Sequence, residues 1–325
     1  MTTLTEGPLP APGPDGVNSL RARAVVRDLY ARPIITVTDL TAPLLVLPDD
    51  AEKAPLPGAV TLAEVGATVH RWAALGIRGV KIFAYGHERD ARASGAIAAG
   101  NRMVRGIEAV KAVDPKMAVT TEVCGCSWTD HGQCVLRDAA GAIDLDATFR
   151  LMEQMATQHA EAGADVISPT AMLDGSVRAV RNALDVAGLR DVGVNPNLAL
   201  HTTLYGPFKQ LMGTNPRAGH RRGLQLEPGR ADRDTLVQAR RWIAEGADSL
   251  TLQPVMTAVD VLVRLRADQQ VPLVAYSTSG ELASLLALGP EGMTEYHAML
   301  KRAGADVVLT FAAELVAQHL VAGRG

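Results

Sequence analysis

Cys124, Cys126 and Cys134 are the only cysteines in a chain of 325 residues, and they fall within eleven consecutive positions. An odd number clustered this way, behind an amino end with no secretory pattern, does not read as a disulfide framework. Thiolate is a good zinc ligand. Two cysteines one residue apart, with a third eight further on, converge on one ion if the loop between them folds back. Three protein ligands leave the fourth tetrahedral position for water or substrate, which is the arrangement of a catalytic zinc. The bland alternative is three buried cysteines packing as small hydrophobes. His131 shares the loop, and three roles stay open to it: completing the shell, orienting it from outside, or acting as an acid.

The elements that must hold this loop are legible as a rhythm. Short apolar runs occur at Ala42–Leu47, Gly79–Ala84, Ala118–Val123, Asp165–Ser168, Val192–Val194, Ser249–Leu252, Leu273–Tyr276 and Asp306–Thr310. Helical patterns separate them, among them Thr148–Ala162 and Thr235–Glu245, with apolar residues three and four apart. Their stripes, including Met152 and Met155, read as core packing. Gly163-Ala-Asp, Gly246-Ala-Asp and Gly304-Ala-Asp each close a helix and open a strand. Near-continuous apolar strands alternating with helices indicate a parallel sheet covered on both faces. Eight such runs in unbroken rhythm predict an α/β fold of the (β/α)8 TIM-barrel type, residues 39–325, preceded by an extended N-terminal arm, residues 1–38. In such barrels chemistry sits where strands end, which is where the third run delivers the cysteines.

Charge and hydropathy narrow the partners. The formal net charge is −3 with acids and bases mixed along the chain, which argues against nucleic acid as a partner. No apolar run reaches the roughly 18–20 residues of a membrane span. A cytosolic protein acting on a small molecule is the expectation.

Further motifs carry a family resemblance. Thr121–Leu136, Ser168–Gly175, Tyr205-Gly-Pro-Phe208, Gln225, Ala275–Glu281 and Ala303–Thr310 resemble porphobilinogen synthase, the δ-aminolevulinic acid dehydratase family. The resemblance covers nearly the whole chain. It implies a (β/α)8 barrel that joins two aminolevulinate molecules into a pyrrole. It also implies an arm that wraps a neighbouring subunit, in homo-oligomers from dimer to octamer, and a catalytic Zn2+ on Cys124, Cys126 and Cys134.

The departures are informative. The resemblance places two imine-forming lysines at the ends of strands five and six, where this chain has Ala199 and Gln253. Neither has a nucleophilic amine. Ala171 stands for an expected aspartate, Phe311 for a tyrosine, Glu122 for an aspartate and Lys209 for an arginine. The half of the site built on metal, Arg221, Arg222 and Gln225 is retained, with Asp174 and Ser279.

The expected catalytic groups are therefore Glu122, Asp174 and His131, moving protons. Lys209, Arg221, Arg222, Gln225, Ser279 and Tyr205 would bind substrate. Among six lysines, Lys81 is unusual in lying within an apolar strand, and a buried lysine suits imine chemistry. The favoured reading is that it points into the helix layer and snorkels or pairs with an acid. His87, Glu88, Arg89 and Asp90 read as a solvated loop, and His201 as a residue filling space near the missing lysine or contacting a ligand. The function expected is a zinc-dependent lyase of this family, acting on a small amino- or keto-carboxylic acid without Schiff bases. Ordinary porphobilinogen synthesis is one alternative. A non-catalytic homologue that binds zinc or a ligand and regulates by assembly is another.

Overall fold

In the computed structural model, residues 19–31, 34–51, 56–85 and 88–323 are described. Among these residues ten short strands form, most of them rich in Val, Ile and Leu, so that both faces can be buried. They are β1 Leu40–Leu47, β2 Ala59–Thr61, β3 Gly79–Ala84, β4 Ala118–Val123, β5 Val166–Pro169, β6 Gly193–Val194, β7 Asn197–Ala199, β8 Leu250–Gln253, β9 Leu273–Ser277 and β10 Val307–Thr310. All pair in parallel, in the order β6-β5-β4-β3-β1-β10-β9-β8-β7, with β2 attached beside β1. The two ends of that order are consecutive in the chain, joined by Asn195-Pro196. The ring therefore closes through one interrupted strand, and the architecture is the (β/α)8 barrel that the rhythm predicts.

That interruption differs from the continuous fifth run expected at Val192–Val194. Pro196 has no N–H to give to a ladder. Asn195 bridges the gap instead: its amide nitrogen donates to Ile167 O at 2.8 Å, its Nδ2 to Ser249 Oγ at 2.7 Å, and its Oδ1 accepts from Thr251 Oγ1. The strand resumes at Asn197, which pairs with Thr251.

The three Gly-Ala-Asp segments do the same job at three places. Gly163, Gly246 and Gly304 have φ of 106°, 105° and 115°, which an L side chain resists. The aspartate two residues later turns back to accept an amide of the first or second residue of an earlier strand. Asp165 takes Val119 N, Asp248 takes Val194 N and Asp306 takes Leu273 N, each at 2.7 Å. A local turn signal thus also satisfies strand amides that have no ladder partner.

The outer helices include Leu145–Glu161, capped by Asp144 Oδ1 on Ala147 N at 2.9 Å, and Ala231–Ala244. Met152 and Met155 are fully buried in the core. Ile35 and Val37 are buried too, and the chain divides at Ile34/Ile35, so the barrel unit begins earlier than the boundary at residue 39 expected from sequence. The preceding unit contains the helices Ser19–Ala22 and Ala24–Tyr30. Among the described residues no helix is long and apolar enough to cross a membrane.

Candidate active site

β4 ends at Val123, and the chain passes directly into Cys124-Gly-Cys126 and a single 3-10 turn, Gly125–Ser127. The loop folds back on itself through Gly125 N donating to Cys134 O at 3.3 Å and Thr129 Oγ1 donating to Gln133 O at 2.9 Å. This brings the three Sγ atoms within 4.8 Å of one another, all buried. Sulfurs on a tetrahedral zinc lie about 3.8 Å apart for Zn–S bonds of roughly 2.3 Å, so the spacing fits such an ion.

Electrostatics point the same way. Hydrogen bonds from Cys124 and then Cys134, with Arg221 nearby, hold Cys126 well below the ordinary thiol range. Cys124 is pushed well above it by its bonds to Cys126 and Cys134 and by burial. Cys134 also moves up, because the downward pull of Cys124 is outweighed by Cys126 and by burial. Three thiolates this close repel one another, so ionising all of them together needs a cation between them. The donor set therefore fits a metal ion.

Beside the cluster opens a cleft of about 760 Å³, part of it open to solvent, at the carboxyl ends of the strands. The cysteines, Glu122, Thr170 and Asn197 form one side. Lys209, Arg221 and Gln225 come from the long connection between β7 and β8, the lid, and Phe83, Tyr205, Phe208, Tyr276 and Ser279 complete the lining. Ala199 and Gln253 also line it, so the two positions where the resemblance expects lysines do face the cavity, without an amine.

Arg221 is anchored by Nη2 to Gly132 O and Thr214 O. Its charge faces all three thiols and Glu122, and this holds its pKa up against burial. Lys209 lies 5.9 Å over the Tyr205 ring, its pKa lowered by burial and by Arg221. Burial first, then Cys126, push Glu122 up to about 7 against the pull of Lys81 and of Thr170, whose hydroxyl donates to Oε1 at 3.1 Å. Ser279 donates to Tyr205 O at 2.9 Å and accepts from Phe208 N at 3.0 Å, so its hydroxyl holds the Gly-Pro-Phe turn. The Tyr205 hydroxyl donates to Leu200 O at 2.8 Å. Gln225 Oε1 is 3.1 Å from His201 Nδ1, which ties His201 to the lid.

Three expected site residues lie elsewhere. Asp174 is exposed and faces helix Ala231–Ala244, where it pairs with Arg241 and accepts from Gln238 at 3.2 Å. Arg222 is exposed beside Glu227 at 4.0 Å, because adjacent residues of the Arg222–Leu224 turn diverge. His131 is off the cleft wall and outside the cysteine cluster; its Nδ1 accepts Gln133 N at 3.1 Å and its Nε2 is buried.

Lys81 also differs from expectation. It points into the barrel, 2% exposed, with Nζ donating to Ser168 Oγ at 2.9 Å and Asn197 Oδ1 at 3.2 Å. Burial lowers its pKa to about 8, with Glu122 holding it up. In the charged loop after β3, His87 lies outside the described residues. Arg89 donates to Gly213 O at 2.8 Å and to Met212 O, fastening the segment that leads to the lid, and Asp90 caps Arg92 N at 2.7 Å. Asn197, Thr170 and Tyr276 were not singled out from sequence; for Thr170 and Tyr276 a position just past or near the end of a strand was the available signal, whereas Asn197 opens β7 after the interruption.

A closed parallel barrel with thiols, cations and a raised carboxyl at its carboxyl-terminal face has the organisation of a barrel enzyme. The model of the δ-aminolevulinic acid dehydratase family matches residues 16–319. The δ-aminolevulinic acid dehydratase of Synechocystis sp. is 31% identical over 93% of this chain and 97% of its own length. That of Halalkalibacterium halodurans is 32% identical over 93% and 95%. The Toxoplasma gondii enzyme, solved with its reaction product porphobilinogen, superposes with a TM-score of 0.86 at 26% identity, covering 96% of this chain and 92% of that one. The chain belongs to the δ-aminolevulinic acid dehydratase family, and it is an enzyme of lyase type.

Proposed function

We propose that this protein is a zinc-dependent lyase acting on a small amino- or keto-carboxylic acid by condensation, dehydration or addition, without an imine at the ends of β7 and β8. The observation that carries the reading is the pairing of Ala199 and Gln253 with an assembled thiol cluster on one cleft. Cys124, Cys126 and Cys134 would hold the zinc, which supplies Lewis acidity to a carbonyl oxygen. Arg221 and Lys209 supply positive charge for carboxylate groups. Glu122, with its pKa near 7, holds or gives up a proton at its carboxyl within the cleft. Phe83, Phe208 and Tyr276 give the cleft aromatic walls against which the ligand's carbon chain would pack. The protein would work in the cytosol as a homo-oligomer assembled through its N-terminal segment.

A second reading is ordinary porphobilinogen synthesis, and the comparisons favour it more directly than the first. The match runs through nearly the full chain, and the Toxoplasma gondii relative holds porphobilinogen itself. One experiment separates the two. Purified chain is loaded with zinc, incubated with 5-aminolevulinate and assayed for pyrrole, with borohydride added in parallel to trap any imine. Zinc uptake without pyrrole or trapped adduct supports the first reading. Pyrrole formation establishes the second and ends the first.

A further inference from the structure

Lys81 is a buried cation with no ion pair among the described residues. It reaches from β3 across the barrel interior to Ser168 on β5 and Asn197 on β7. The Ser168 hydroxyl has two acceptors in reach, Asn195 O at 2.6 Å and Asn197 Oδ1 at 3.0 Å, and its lone pair accepts the hydrogen bond from the ammonium. Asn197 then continues the chain of contacts, its Nδ2 donating to Gln253 Oε1 on β8 at 3.2 Å.

The order of these contacts is dictated by donor chemistry. An ammonium has three donors and no acceptor, so Asn197 must turn its carbonyl oxygen toward Lys81. Its NH2 then faces Gln253, which must answer with its own oxygen. The remaining end of Gln253 is Nε2, and Gln253 lines the cleft. Without the ammonium, only the Ser168 hydroxyl, which is closer to Asn195 O, would favour this orientation of Asn197, and the relay could invert to present an oxygen instead.

We propose that Lys81 is a positioning residue that acts through Asn197 to hold Gln253 as a hydrogen-bond donor to a ketone or carboxylate oxygen of the ligand. The wall that lacks an amine thereby keeps a fixed N–H for the same kind of oxygen, and the ligand is held there without a covalent bond. The ligand class rests on the lyase reading above; the relay does not. Lys81 itself stays behind Asn197, and its lowered pKa is what an unpaired buried ammonium should show.

The relay is tested on the zinc-loaded full chain by side-chain amide 15N–1H spectra, assigned with Gln253→Glu and Asn197→Asp. Lys81→Met is expected to move the Gln253 amide signals as well as those of Asn197, and to speed their hydrogen exchange about tenfold. Gln253 signals unmoved by Lys81→Met overturn the relay, whether or not the chain binds any ligand. The ligand arm uses calorimetric titration with 5-aminolevulinate. Lys81→Met and Gln253→Met should each weaken binding about tenfold, and the double variant no further, because both break one relay. Additive losses, or a borohydride-trapped adduct on Lys81, overturn the positioning role. Should Lys81→Met fail to fold, Asn197→Asp keeps the volume and pairs the ammonium. It reverses Gln253, and so should also weaken binding; undiminished binding by that variant counts against the proposal.

Discussion

Gly125 and Cys134 approach so closely that no side chain fits between them: a Cβ on Gly125 would stand 2.9 Å from the Cys134 carbonyl oxygen. Their backbones also share a hydrogen bond of 3.3 Å. The glycine between the first two cysteines is therefore what lets the third fold back onto them. Gly125→Ala keeps every thiol yet pushes backbone against backbone. Zinc affinity is expected to fall about tenfold or more, read by competition with a chromophoric chelator. Unchanged affinity would mean that the loop closes by another route.

Restoring an amine to the cleft tests what its walls lack. Gln253→Lys should yield an adduct with 5-aminolevulinate that borohydride traps and mass spectrometry maps to position 253. The unmodified chain should yield none. A trapped adduct in the unmodified chain would show that some other lysine already does this chemistry.

Adjacent arginines should behave differently. Arg221 faces the thiols, whereas Arg222 lies outside beside Glu227. Arg221→Ala should weaken zinc and carboxylate binding about tenfold or more. Arg222→Ala and Asp174→Asn should leave both within about twofold. Equal losses from all three substitutions would place the lid differently from the geometry described.

The Gly-Ala-Asp corners predict a stability effect separate from the cleft. Asp306 Oδ2 receives Leu273 N at 2.7 Å and Arg266 Nη2 at 2.8 Å. Asp306→Ala should cost about 1–2 kcal/mol in denaturant unfolding while zinc binding is unaffected. A cost near zero would show that water replaces the carboxylate at the strand start.

A buried imidazole sets an acid limit. His297 takes no solvent, its Nδ1 lies 2.6 Å from Met293 O and its Nε2 3.0 Å from Thr310 Oγ1. Burial lowers its pKa to about 4 against the pull of Met293 O. The unfolded chain takes up this proton below about pH 6.5, and the folded chain only near pH 4. The contribution is thus complete above pH 6.5 and is lost as pH falls toward 4, by about 3 kcal/mol. His159, lowered to about 3 by burial, adds to the same limb. His297→Leu should flatten stability measured between pH 6.5 and 4.5; an identical slope in the variant would remove His297 as its source.

What the sequence determined by itself was the barrel and its cysteine loop. Buried parallel strands must be locally apolar, helices between them must carry one apolar stripe, and both are written within a few residues of each other. The cysteine spacing and the glycine between Cys124 and Cys126 are equally local. What the tertiary structure decided were directions. In a strand buried along its whole length, such as Gly79–Ala84, no alternation of apolar and polar residues tells which side chains face inward, so only barrel closure turned Lys81 toward Ser168 and Asn197. The fifth run ends at Val194 in the sequence pattern, and only the pairing of Gly193–Val194 with β5 and of Asn197–Ala199 with β8 makes Pro196 an interruption within one strand. Asp174, Arg222 and His131 occupy the right segments, but a turn of backbone sends each away from the cleft. Spacing along a chain sets which groups come near a site; packing of the surrounding elements sets which of them point into it.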